Sequence, residues 1–98
     1  MRRIKNALIQ STMLGFEDYG LLTFFLNTIH EEGSQRFGGW SLTGPACPTF
    51  IQGILKTIGV RKWEDLPGKY CRVDGDYSKI LRIGHITEDR WFEPGKDV

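Results

Sequence analysis

The sequence predicts an α+β fold: an antiparallel sheet of about five to six strands, one principal helix at about 48–58 and one short helical turn at about 61–66. Three observations carry this. Only Pro48–Gly59 holds a helical period, with Phe50, Ile51, Ile54, Leu55 and Ile58 on one broad apolar stripe. The segments around it alternate or run apolar over strand lengths, separated by glycine-rich turns. A lone amphipathic helix has to bury its stripe, and a sheet is the surface available. Ninety-eight residues suffice for a single domain spanning 1–98, with the last few residues, from Pro94, expected to fray.

The first strand is expected over Ile4–Thr12, with Ala7 and Ile9 on one side and Ile4 and Leu8 on the other. The turn LGFEDYG follows between Gly15 and Gly20. Leu21–Ile29 is apolar on both faces and reads as a central strand. A polar turn at Glu31–Ser34 leads to a strand over Gln35–Leu42. Its Gly38-Gly39 pair signals a bulge or the close approach of a backbone or ligand. These three strands make a meander. Pro48 suits a first helical position and Gly59 a left-handed terminator. Beyond the helix, Tyr70–Val73 points Cys71 and Val73 inward, Asp74-Gly75-Asp76 makes a hairpin turn, and Lys79–Ile86 is the partner strand. Trp91-Phe92 closes the core.

Thirteen basic and twelve acidic residues argue against general nucleic-acid binding, which requires many neutralised phosphates. No apolar run is long enough to span a bilayer and no signal peptide is visible, so a cytoplasmic location is expected. His30 and His85 lack ligand spacing with each other or with Cys47 and Cys71, so neither a metal nor a cofactor is expected. Cys47 or Cys71 could pair with His85 across the fold, but the inward position of Cys71 predicts an inert thiol. No phosphate loop or nucleophile elbow is present. No catalytic residues are assigned, and the chain is not expected to be an enzyme.

Binding residues are more legible. Lys56–Arg82 holds a local basic excess. Arg72 and Arg82 fall on strands that pair, and an arginine on a half-buried face seeks a carboxylate or a phosphate. A salt bridge to Asp74, Asp76 or Asp65 is the plain alternative. Most aromatics belong to the core, with Trp40 beside the glycine pair and Phe50 at the helix start as the rings best placed to stack on a ligand.

Taken together, LGFEDYG, RFGGW, WEDLPGKY and RIGHITEDRWF resemble, over nearly the whole chain, a group of small phage and prophage proteins, identified as the Thoeris anti-defence sponge family of the first described type. Tyr19 stands where that group has histidine, and Ser41–Thr49 is shorter than the corresponding loop. The resemblance implies immune evasion in the infected host's cytoplasm, by sequestering a cyclic ADP-ribose isomer or a cyclic oligonucleotide in a homo-oligomer such as a hexamer. It implies binding without turnover. A ligand of adenine, ribose and pyrophosphate asks for a stacking plane, cationic donors and hydroxyl acceptors. The residues with that chemistry are Arg82, Arg72 and Lys79, with Phe50 or Trp40 as the plane and Asp65 or Asp18 as acceptors. Two other classes remain open: a protein–protein inhibitor of a bacterial defence effector, as anti-CRISPR proteins are, and an enzyme degrading a nucleotide signal.

Overall fold

The computed structural model describes residues 3–94. Six strands form one antiparallel sheet: β1 (Arg3–Phe16), β2 (Leu22–His30), β3 (Gly33–Gly38), β4 (Tyr70–Gly75), β5 (Ile80–His85) and β6 (Trp91–Phe92). Their spatial order is β3-β2-β1-β4-β5-β6. Helix α1 (Ala46–Ile58) joins β3 to β4, with a single helical turn at Trp63–Asp65 after it. The α+β architecture is therefore the expected one, including the three-strand meander.

The inner face of the sheet holds Ala7 and Ile9 of β1, Phe24 and Leu26 of β2, Phe37 of β3, Cys71 and Val73 of β4, and Ile83 of β5, all buried. Helix α1 lays Phe50, Ile54 and Ile58 onto this face and stops at Gly59, whose φ of 90° is left-handed. The sheet coils until β3 touches β5. The Gln35 side chain then reaches from β3 to the β4–β5 turn, its amide nitrogen 2.7 Å from the Asp76 carbonyl. Lys5 and Glu32 form an ion pair at the same end.

Several boundaries differ from the sequence reading, each for a physical reason. Strand β1 runs on to Phe16 because Leu14 and Phe16 still find partners in Phe24 and Leu22. Gln10 is an extra residue there, since Ile9 pairs with Thr28 while Ser11 pairs with Asn27. Strand β3 ends at Gly38, where the backbone comes so near β2 that an added Cβ would lie 2.2 Å from the Phe24 carbonyl oxygen. The glycine pair thus marks a close backbone approach at the strand's end.

Asp74 and Gly75 belong to β4, and the turn begins at Asp76. The Asp76 carboxylate accepts the Ser78 and Lys79 N–H groups at 2.9 and 3.2 Å, and this side-chain turn sets the reversal. Leu81 is the extra residue of a second bulge: Asp74 pairs with Arg82, and Gly75 with Ile80. Strict alternation would place Ile80 beside Arg82; the bulge turns Ile80 to the core with Ile83. Helix α1 begins at Ala46 with Pro45 before it, so Pro48 is its third residue. Pro94 is buried, and 95–98, also expected to fray, lie outside the described residues.

Candidate functional site

The outer face of β4, β5 and β6 is built around one indole. In register, Arg72 lies opposite Gly84, and Gly84 opposite Trp91. Glycine at 84 leaves the space into which the Trp91 ring folds. Both neighbouring arginines then stack on that ring, with the guanidinium carbon of Arg82 4.0 Å and that of Arg72 4.7 Å from its centroid. One indole thus carries two guanidinium groups, a contact that favours the flat guanidinium group.

Each arginine is also fixed by its base. Arg82 Nε donates to the Asp74 carboxylate at 2.8 Å. Asp74 is only 4% exposed, so the bond matters: a buried carboxylate requires a charge partner. Arg72 Nε donates to the His85 carbonyl and its Nη2 to the Glu88 carbonyl, both at 2.7 Å, and so ties down the 86–90 loop. Among the described residues, both Nη groups of Arg82 and Nη1 of Arg72 make no hydrogen bond. Trp91 Nε1 donates to Asp89 at 3.2 Å, which fixes the indole from its other end.

A groove of about 350 Å³ runs beside this platform, between α1 and β6, and Trp91 forms part of its wall. Thr49, Gln52 and Lys56 line it from the polar side of the helix. Trp91 links the two features: the arginines stack on its ring, and the lysine and amide share its groove. That set can hold phosphate oxygens by charge-assisted hydrogen bonds and a planar group by stacking.

Of the residues expected to bind a ligand, the structure brings Arg72 and Arg82 together and separates the others from them. Phe50 is buried in the core against Phe24, Trp40 and Phe92, and Trp40 stacks on the same cluster. These rings occupy the inner side of the sheet, opposite the arginines. Lys79 is exposed at the far end of β5 from Gly84, roughly 15 Å along the strand. Asp65 is exposed on the Trp63–Asp65 turn, and Asp18 is exposed in the β1–β2 connection. The salt-bridge alternative for Arg82 is realised with Asp74, yet it uses Nε alone and leaves the fork open. Trp91 was expected to close the core with Phe92 and instead lies half-buried on the outer face; Lys56 was read only as one end of the basic segment, and Gln52 was not read as a binding residue. Only the small residue in line with Trp91, Gly84, hinted at the stack.

The first turn of α1, as the N-terminus of a helix, is a place where free N–H groups could meet an anion. Its donors are engaged instead: Ala46 and Cys47 donate to the Thr43 and Gly44 carbonyls at 3.3 Å, and Pro48 has no N–H. Cys71 does stand opposite His85 in the β4–β5 register. Burial pushes its thiol up to about 12, the reverse of nucleophile activation. His85 Nδ1 accepts the Thr87 and Glu88 N–H groups at 3.1 and 3.0 Å and so serves the loop. Among the described residues no cluster of three or more His, Cys, Asp or Glu could hold a metal ion, and no helix is long and apolar enough to cross a membrane.

No family model matches the chain, and no curated protein or solved structure matches it.

Proposed function

We propose that this protein is a non-enzymatic anti-defence factor of a phage or prophage. It binds a cyclic-nucleotide-type immune signal, a cyclic ADP-ribose isomer or a cyclic oligonucleotide, and holds it intact in the host cytoplasm as a homo-oligomer. The observation that carries the reading is the pair of arginines on Trp91. The Arg82 fork, with both Nη groups open, and the remaining Nη1 of Arg72 match the oxygens of a pyrophosphate or of neighbouring phosphodiesters. The adjoining groove supplies Lys56 for charge, with Gln52 and Thr49 for ribose hydroxyls or the base edge. The motifs that resemble the sponge family support the same chemistry. Sequestration requires tight contacts without bond cleavage, which suits a site of cations, amide and hydroxyl.

The test is the small-molecule content of the protein purified after co-expression with a defence TIR protein and then denatured. An unaltered cyclic nucleotide, absent from Arg72→Ala/Arg82→Ala preparations, is the expected result. A chemically altered ligand indicates an enzyme, and no ligand at all contradicts the proposal.

One observation favours a second reading, a protein–protein inhibitor of a defence effector. Ile29 and Tyr70, 37% and 62% exposed on the outer face, line a depression of about 300 Å³, and Ile4, 53% exposed, lies further along the same side of β1. An exposed apolar patch bordered by arginines is the composition of a protein interface. A nucleotide-insensitive complex recovered with a defence effector distinguishes this reading.

A further inference from the structure

A third arginine on the outer face belongs to a different site. Arg36 of β3 extends over the Phe25 ring of β2, its guanidinium carbon 4.5 Å from the centroid. Its Nε donates to Asn27 Oδ1 at 3.0 Å, and Asn27 Nδ2 donates to Ser11 Oγ at 2.9 Å. Ring and amide together fix the guanidinium plane, and Asn27 is itself held by Ser11. Among the described residues this arginine has no carboxylate partner, in contrast to Arg3, Arg82 and Arg90.

The arginine lines a cleft of about 210 Å³ whose other walls are Gln10, Asn27, Thr28, Ser34 and Gln35. Every side chain there is polar and none is acidic. Gln10 is the extra residue of the β1 bulge, so its side chain leaves the strand's regular alternation, and bulges re-aim side chains in this way beside functional sites. The ring holds the cation in place without neutralising it, and uncharged donors surround it.

From this geometry we propose that the cleft is a second anion site, selective for a phosphate group. The open edge of the Arg36 guanidinium provides the fork, and the Gln10 amide and Ser34 hydroxyl provide neutral donors. It shares no residue with the Trp91 platform: Arg36 stacks on Phe25, whereas Arg72 and Arg82 stack on Trp91. The phosphate arrives either as the free ion or as a monoester on a nucleoside, and the two sources share this recognition chemistry.

The test is nuclear magnetic resonance titration at constant ionic strength with inorganic phosphate, with adenosine monophosphate and with adenosine. Saturable shifts of the Arg36 Nε–H and of the Gln10 and Asn27 side-chain amides are expected with both phosphates and not with adenosine. Tighter binding of the monoester than of the free ion would identify a nucleotide as the source. Arg36→Gln, an exposed substitution, abolishes the shifts, and Asn27→Ala weakens binding several-fold by releasing the guanidinium. Arg72→Gln leaves them unchanged, which separates this site from the Trp91 platform whether or not that platform binds its ligand. Shifts that fail to saturate, or that persist in Arg36→Gln, overturn the proposal.

Discussion

Gly84 lies directly against the Trp91 indole: a Cβ built on Gly84 would stand 2.7 Å from the ring, closer than any side chain tolerates. The absence of one methyl group thus decides where the indole rests and, through it, where Arg72 and Arg82 are held. Gly84→Ala should push the ring outward and free both guanidinium groups. A stability loss of about 1–3 kcal/mol, typical of overpacking, is expected in urea unfolding. The Trp91 fluorescence should move to the red as the indole enters water. Unchanged stability and emission would mean that the ring does not rest on Gly84.

A second glycine performs the same service on the inner side. A Cβ on Gly53 would come within 2.5 Å of the Phe92 ring, so α1 approaches β6 only because residue 53 has no side chain. Gly53→Ala removes the flexibility cost of a mid-helix glycine, worth about 1 kcal/mol. It should nevertheless destabilise the protein, because the clash outweighs that gain. Thermal unfolding checks the sign: a raised midpoint would contradict the packing.

The helix and the six strands were largely legible because their evidence is periodic. The Phe50, Ile54 and Ile58 stripe and the inward Cys71 and Val73 fell where the pattern put them. The bulges at Gln10 and Leu81 were not legible. One extra residue leaves no compositional mark, yet it changes which side chain faces the core. The candidate site was half legible for a related reason. Arg72 and Arg82 could be paired from the hairpin alone, whereas Trp91 and Phe50 are both aromatics near strand or helix ends. Which of them meets the arginines depends on which face each ring takes, and that is settled by Gly84 and Gly53.

The two cysteines should differ in reactivity. Cys71 is fully buried, with its thiol raised from an ordinary 9.0 to about 12, while Cys47 is partly exposed. Native protein treated with a thiol reagent should label at Cys47 alone, and at both sites once unfolded. The buried thiol resists ionisation in the folded state, so its contribution to stability is complete below about pH 9. It is lost as the pH rises from about 9 toward 12, at up to about 1.4 kcal/mol per pH unit. Cys71→Ala should flatten that alkaline decline.

A chain of polar contacts closes the coil of the sheet. The Glu32 N–H donates to His30 Nδ1, His30 Nε2 donates to Gln35 Oε1 at 3.0 Å, and the Gln35 amide donates to the Asp76 carbonyl. Gln35→Ala should release β3 from the β4–β5 turn and speed amide hydrogen exchange in Ser34–Phe37. The loss in stability should be about 1 kcal/mol. The Ser78 hydroxyl and the Ser78 and Lys79 N–H groups hold the Asp76 carboxyl below its ordinary 3.8, and Lys5 holds Glu32 below 4.5. Both carboxylates therefore stabilise the fold above those ordinary values, and the effect disappears as the pH falls through their lower folded values. Asp76→Asn keeps an oxygen acceptor for the turn and should remove its share of this acid sensitivity, measured by urea midpoints across pH 2–5.

In the proposed function the arginine pair on Trp91 grips the phosphates of a cyclic nucleotide signal. The most direct measurement is calorimetric titration of cyclic ADP-ribose isomers and cyclic oligonucleotides into the protein and into Arg82→Ala. Saturable binding of at least one ligand at micromolar concentration is expected, weakened by well over 1 kcal/mol in the variant, as for the loss of a charge-assisted hydrogen bond. No heat of binding from any of these ligands at micromolar concentration, or an affinity unchanged by Arg82→Ala, would contradict it.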